Sequence, residues 1–293
     1  MRDIIVLDIE TRRHEDRYHR NLKPYKVAKP YLTEFDPENR DHNKLGRLTD
    51  PCKIATTTDA NREKWNASEY KKLADWEKKK EAYFEKTAEK APLYPGMSEI
   101  CAIGWQIPGE YPITLMLGDE GVSCESELLT AYLTMFRQVT EAPVASGGNY
   151  KFGFWSGNSS RDSYFDYNHL REAARRQKTA VNMSFLVGPG QRHSPWIDLS
   201  GEFFGSGAIL PQCDGYPAFL SLNDAAEYVG WPHEGAVEEF PIQAIGKEEC
   251  LVTGAEFGEA LRDPSMRETC RDYLINDLAL TRHIANNSLV NLV

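Results

Sequence analysis

The chain reads as an α/β protein, and three features carry that expectation. Residues 4–7 (Ile-Ile-Val-Leu) form an unbroken apolar run suited to a buried central strand. Residues 100–107 and 113–117 read as two further strands, joined through Gly109 and Pro112 as a hairpin. Beyond them, apolar residues recur at helical spacing. Taken in order, residues 1–10 make the first strand. A polar region follows from Arg12 to about Gly96. Its first half, with prolines at 24, 30, 37 and 51, reads as extended. Its second half, about residues 61–91, reads as a helix in which Trp65, Leu73, Trp76, Tyr83 and Phe84 fall among Lys and Glu. After the hairpin, residues 125–139 carry the Leu128, Leu129, Tyr132, Leu133 and Phe136 stripe of an amphipathic helix. A strand is expected near Val144, a helix over about 167–177, a short strand over 196–199 and a loop over 205–217. A helix over 222–229 has Asn223 as its expected N-cap, and the last helix, about 264–286, opens with Asp263 and Pro264.

At 293 residues the chain fits one elaborated domain or two of ordinary size. It is 41% apolar and 27% charged, enough for a real core and unlike a disordered chain. No apolar run approaches the ~20 residues of a membrane span, and the first is too short for a secretion signal. The six cysteines lie far apart with no Cys-x-x-Cys pair, which argues against a disulfide scaffold or zinc finger and for a reducing cytoplasm. Net charge is −10, but residues 12–96 hold 20 basic and 15 acidic side chains while residues 97–293 hold 13 and 26. A protein that binds nucleic acid by phosphate neutralisation alone is normally basic overall. The acidic part therefore either carries a carboxylate site for cations or is a soluble surface.

Four acids stand out. Asp8 and Glu10 close the first strand at a spacing of two, so both point to one sheet face. They repel unless a cation lies between them, although strands also simply end in polar residues. Asp166 follows Phe165 and opens the helix that holds Leu170 and Ala173, where an N-cap role is equally available. Asp277 shares a helical stripe with Met266, Cys270, Tyr273, Leu280, Thr281 and Ile284, whereas Arg271, Arg282 and His283 lie elsewhere on the wheel. A carboxylate on such a stripe needs a metal, or an arginine from another part of the fold. Tyr273, one turn earlier, sets a phenol beside it.

Asp8-Ile9-Glu10-Thr11, then Phe165-Asp166 with Leu170, then Tyr273-x-x-x-Asp277-x-x-x-Thr281 resemble, in order, the three motifs of the DEDD superfamily of 3′–5′ exonucleases. The tyrosine four residues before the last Asp marks the tyrosine-bearing branch, which includes the proofreading domains of family B DNA polymerases and similar stand-alone proteins. The likeness covers residues 1–11 and about 97–287. It implies an RNase H-like α/β fold with a mixed sheet flanked by helices, a single domain over 1–293 with residues 12–96 as a large insertion between the first two strands. It further implies that Asp8, Glu10, Asp166 and Asp277 hold two divalent cations, Mg²⁺ or Mn²⁺, with Tyr273 orienting the attacking water. Thr11, Asn158 and Phe165 are the implied contacts to the terminal nucleotide. The stretch from Asn158 to Phe165 is longer than usual in the family, and Asp162 competes with Asp166 for its role.

The expected activity is removal of nucleoside 5′-monophosphates from single-stranded DNA 3′ ends, in proofreading or end processing beside a separate polymerase or replication protein. The expected compartment is a bacterial or phage-infected host cytoplasm, with no membrane partner. An exoribonuclease, or a silent nucleic-acid- or polymerase-binding scaffold of the same fold, fits the same residues. In the insertion, Lys78, Lys79 and Lys80 with Trp65, Trp76, Tyr83 and Phe84 suggest phosphate contacts and base-stacking platforms, or else a solvated helix with packed aromatics. Arg12, Arg13, Arg17 and Arg20 are expected near the mouth of the site. His14, His19 and His42 read as surface residues rather than ligands.

Overall fold

The computed structural model describes residues 4–141, 150–155, 164–204, 221–231 and 252–288. The chain separates into two compact units, Met1–Asn21 with Ala91–Val293, and Leu22–Lys90.

The first unit is built on a five-stranded mixed sheet flanked by helices, in the order β3-β2-β1-β4-β5. Strand β1 (Ile4–Arg13) is central. It pairs antiparallel with β2 (Ser98–Gln106), which pairs antiparallel with β3 (Ile113–Met116), so the hairpin expected from the sequence forms. On its other side β1 runs parallel to β4 (Lys151–Phe154), which runs parallel to β5 (Trp196–Asp198). The strand expected near Val144 lies outside the described residues, as does the loop 205–217. β1 is three residues longer than its apolar run suggested, continuing past Glu10 through a register shift between Glu10 and Thr11. Asp8 and Glu10 therefore do not end the strand. They sit where its parallel partner stops, because β1–β4 pairing ends at Val6 opposite Gly153.

Strand alternation splits the packing of β1. Ile5, Leu7 and Ile9 belong to the large core with α3 (Glu125–Glu141) and α4 (Phe165–Gln177). In that core Phe136 stacks on Phe152 at 4.5 Å and on Trp196 at 5.3 Å. Each such ring contributes about 2–3 kcal/mol on burial. Ile4 and Val6 face the other way, onto Leu199, Leu278 and Ala285. The last two belong to α9 (Arg267–Ser288). This helix begins three residues later than the Asp263-Pro264 signal suggested, since Asp263 caps a separate 3₁₀ turn at Pro264–Met266. Arg282, expected off the core stripe, is 3% exposed. Its guanidinium donates to the carbonyls of Ile4 and Gln106, tying the start of β1 and the end of β2 to the helix. Helix α7 (Leu222–Tyr228) is capped by Ser221 in a reciprocal pair with Asp224, not by Asn223. Helices α1 (Glu15–Asn21), α5 (Met183–Leu186), α6 (Leu199–Phe204) and α8 (Gly254–Ala260) are too short to show a period in the sequence.

The second unit is a 40-residue helix, α2 (Pro51–Lys90), with an extended segment along it. The helix starts ten residues before the expected position of about 61. Asp50 Oδ1 accepts from Cys52 N at 3.0 Å, an N-cap aspartate ahead of a proline at the first helical position. The extended segment runs back along the helix. Tyr83 donates to the Lys23 carbonyl (3.3 Å), Trp76 Nε1 to that of Val27 (2.9 Å) and Trp65 Nε1 to that of Thr33 (3.0 Å). Glu69, 4% exposed, accepts from Thr33 N at 2.9 Å. Tyr25 packs on Trp76 and Tyr83, and His42 lies 3.7 Å from the ring of Trp65. Trp65, Trp76 and Tyr83 are thus engaged within their own unit, which favours packed aromatics over open base-stacking platforms, with the extended segment as what they pack on.

Candidate metal centre

The even-numbered row of β1 decides the site. Ile4 and Val6 face α9 and its surroundings, and Asp8 and Glu10 continue that row beyond the end of β4. Gly104 is the cross-strand neighbour of Asp8. A Cβ on Gly104 would lie 2.7 Å from Leu278 Cδ1 and 3.1 Å from Leu274 Cγ. The missing side chain lets α9 approach the sheet closely. That approach delivers Tyr273 and Asp277, one turn apart on α9. Ligand oxygens of Asp8, Glu10 and Asp277 lie within 4.8 Å of one another, and each residue stays half-buried. The location follows the general rule for open α/β sheets: sites form beyond the carboxyl ends of parallel strands where strand direction switches.

Asp166 lies in the first turn of α4, 2% exposed. It is not the N-cap, since Tyr164 holds that position. Its carboxylate accepts from the Ile9 backbone N–H, on the strand edge that β4 leaves free, and its charge is felt by both Asp8 and Glu10. Asp166 therefore shares the electrostatic field of the other three acids, while the tight oxygen group comprises Asp8, Glu10 and Asp277. Asp162 and Asn158 lie outside the described residues.

The electrostatics are those of crowded, desolvated anions. Burial first, then Glu10, Asp277 and Asp166, push the Asp8 carboxyl well above the usual carboxylate range. Glu10 rises for the same reasons, burial ahead of Asp277 and Asp166. Burial lifts Asp166 to about 8 against the opposing backbone N–H bonds, with a further contribution from Asp198. The Asp8 Oδ2 atom is buried and has no hydrogen-bond partner among the described residues. An orphaned carboxylate oxygen facing two more carboxylates fits a divalent cation bound through hard oxygen ligands. Tyr273 hydrogen-bonds Asp277, and burial with the charges of Asp277, Glu10 and Asp8 drives its phenol far above its ordinary value. In the cation-free structure the phenol is therefore the proton donor to Asp277.

Other expected residues make contacts within the fold. Thr11, 5% exposed, donates to the Pro92 carbonyl at 2.8 Å, so its hydroxyl is taken. Phe165 is the first residue of α4, and its ring lies 4.1 Å from that of His169. Arg12 pairs with Glu99 (2.7 Å), Arg13 with Glu15 (2.7 Å) and Arg17 with the buried Glu125 (3.0 Å), while Arg20 is exposed. Three of the four arginines are thus spent on intramolecular pairs. His14 accepts from Arg17 N and His42 from Asp36 N, and His19 is exposed.

Sequence reasoning missed two neighbours of the site. Asp198, at the end of β5, raises Asp166, and its Oδ1 accepts from Ser200 N and Oγ. Helix α8 opens with a reciprocal Thr253–Glu256 cap, a Thr-x-x-Glu signal legible in the sequence. A Cβ on Gly254 would stand 3.1 Å from the Tyr273 hydroxyl and 4.0 Å from Glu10 Oε2. Gly254→Ala is expected to push that hydroxyl off Asp277. Turnover should fall about ten-fold or more with cation affinity retained; equal loss of cation affinity, read by a metal-dependent melting shift, would contradict this.

No protein-family model matches the chain, and no curated protein matches it. Among solved structures it is similar to the family B DNA polymerase from the hyperthermophilic archaeon Pyrobaculum calidifontis, at 16% identity and a TM-score of 0.44. The match covers 69% of this chain and 23% of the polymerase, so this chain spans less than a quarter of that protein's length.

Proposed function

We propose that this protein is a metal-dependent 3′–5′ exonuclease of the tyrosine-bearing DEDD type, acting on single-stranded DNA ends from an RNase H-like fold. The observation that carries the reading is the convergence of Asp8, Glu10 and Asp277, residues from opposite ends of the chain, into one oxygen cluster with Asp166 in the same field. The sheet order, with antiparallel β1–β3 and parallel β4 and β5, supports the fold assignment. Residues 22–90 would then be an insertion between the first two strands.

Asp8, Glu10, Asp166 and Asp277 would hold a pair of Mg²⁺ or Mn²⁺ ions, the hard cations such a donor set selects. Bound there, the ions would supply Lewis-acid activation of a water and charge neutralisation at the leaving 3′ oxygen. Tyr273, fixed by the O–H it donates to Asp277, would accept a hydrogen bond from the attacking water on its phenol oxygen and so orient it. The raised carboxyls of Asp8, Glu10 and Asp166 mean that cation binding must displace protons, so activity should rise with pH until these groups are ionised. For Tyr273→Phe, turnover is expected to drop by about ten- to a hundred-fold with unchanged cation affinity. A weakened cation-induced melting shift in that variant would count against an orienting role.

The decisive assay is digestion of end-labelled DNA and RNA oligonucleotides with Mg²⁺, Mn²⁺ or EDTA. Stepwise shortening from the 3′ end with the cations, and none with EDTA, is the expected result. Faster shortening of RNA would move the substrate assignment to RNA. No cation-dependent shortening of either polymer would end the nuclease reading.

A further inference from the structure

The insertion unit segregates its charge, and the segregation points to a surface. On α2, Lys64, Lys71 and Lys78 follow one another at seven-residue steps, as do Lys72, Lys79 and Lys86. Seven residues are nearly two full helical turns, so each trio forms a row drifting only ~20° per step, about 10 Å apart along the axis. The rows are adjacent, and Lys53 and Lys90 extend them, giving eight exposed lysines on one side of the helix. Asp75, Glu85 and Glu89 interrupt that side, Glu85 taking the step after Lys78, whereas Asp59, Glu63, Glu77 and Glu81 lie away from it. Lys72 is ion-paired with Glu69, and the other seven make no ion pair within the unit.

Trp65 heads the Lys72 row, with the Lys72 ammonium over its ring, and Tyr83 lies one such step before Lys90; both are engaged with the extended segment. The positions between the lysines of this face are Thr57, Asn61, Ser68 and Ala82. The indoles and the Tyr83 phenol point to the extended segment, where they are hydrogen-bonded. A face that is cationic without free apolar anchors does not suit insertion into a lipid surface. It suits a flexible polyanion with regularly spaced charges.

We propose that the lysine face of α2 binds the phosphate backbone of a single nucleic-acid strand, as a sequence-independent hold separate from the carboxylate cluster. The choice of nucleic acid rests on the nuclease reading; the cationic face itself does not. Its contacts are electrostatic and made by point charges, so affinity should come from counterion release rather than stacking.

The test measures binding of the full-length protein to a fluorescent single-stranded oligonucleotide in EDTA, by anisotropy, from 50 to 200 mM salt. The variant Lys64→Gln/Lys71→Gln/Lys78→Gln/Lys79→Gln is expected to bind about ten- to a hundred-fold more weakly at low salt. Its log affinity–log salt slope should be shallower by about 3, near 0.7 per lost contact. Arg at the same four positions should retain binding, and Glu63→Gln/Glu77→Gln/Glu81→Gln away from that face should not weaken it. Hydrolysis of the p-nitrophenyl ester of thymidine 5′-monophosphate with Mn²⁺, a substrate with no extended backbone, should be unchanged in the Gln variant. Unaltered affinity and slope in the Gln variant overturn the proposal, as does binding to anionic vesicles but not to the oligonucleotide. If the ester and the oligonucleotide both go uncleaved while the slope still falls, the face stands and the nuclease reading is the one that fails.

Discussion

Asp8→Asn and Asp277→Asn are each expected to reduce cation-dependent cleavage by about 100-fold or more, and Asp8→Asn to do so without destabilising the cation-free fold. Second-shell losses around bound metals already cost about 10–100-fold, and these residues supply ligand oxygens themselves. The stability half of the expectation separates a metal site from an ordinary buried ion pair. If Asp8 were held by a cation of the protein, its loss would strand that partner and cost about 3–5 kcal/mol. Its Oδ2 atom instead has no hydrogen-bond partner among the described residues, and its neighbours in the oxygen cluster are Glu10 and Asp277. Removing its charge, one of three crowded together, should therefore hold or raise the melting temperature in EDTA. The wild type should gain stability from Mn²⁺, about 2.7 kcal/mol at a hundred times the dissociation constant, and the variants should gain little. A variant that melts early in EDTA, yet still cleaves and still responds to Mn²⁺, would move the site elsewhere.

Much of this site was legible because its acids break a local pattern. Asp8 and Glu10 interrupt an apolar strand row, and Asp277 interrupts an apolar helix stripe, so each raised the question of what compensates it. Asp166 was harder to read, because an acid in the first turn of a helix has a capping explanation, and only its bond to Ile9 N–H shows what it reaches. Gly104 and Gly254 were illegible, since a close approach between distant segments leaves no trace in periodicity. The second unit left two readings open for a related reason. Trp65, Trp76 and Tyr83 look like a ligand platform in isolation, and their true partners are backbone carbonyls some thirty to sixty residues away. Helix α2 also began earlier than expected because Thr56, Thr57 and Thr58 blur its apolar period, while the Asp50-Pro51 start signal was present throughout.

In EDTA the protein should lose stability as pH rises from 6.5 to 8. Asp8, Glu10 and Asp166 all have carboxyls raised in the folded state, Asp166 to about 8, so the native state binds more protons than the unfolded chain across this window. Stability from such groups is complete below the unfolded carboxylate value and is lost as pH climbs through the folded one. Asp166 alone sets a ceiling of roughly 6 kcal/mol over the whole range, at about 1.4 kcal/mol per unit from 3.8 to about 8. The lower bound of the window matters. Burial holds His169 down to about 4 and also lowers His283, so below 6.5 the unfolded state takes up a proton at each and partly offsets the opposite slope of the three carboxyls. Glu125 and Asp119, held low by backbone N–H bonds from Ile100 and Met116 and then by their arginines, act only at more acid pH. Above 6.5 the histidine offset is gone and the raised carboxylates set the slope alone. Saturating Mg²⁺ or Mn²⁺ should flatten or reverse it, because the cation competes with the same protons. Melting curves at pH 6.5, 7.25 and 8, with and without cation, read both limbs. A flat profile in EDTA would show that the carboxylates are already ionised and compensated without metal, which would remove the electrostatic basis of the proposed centre.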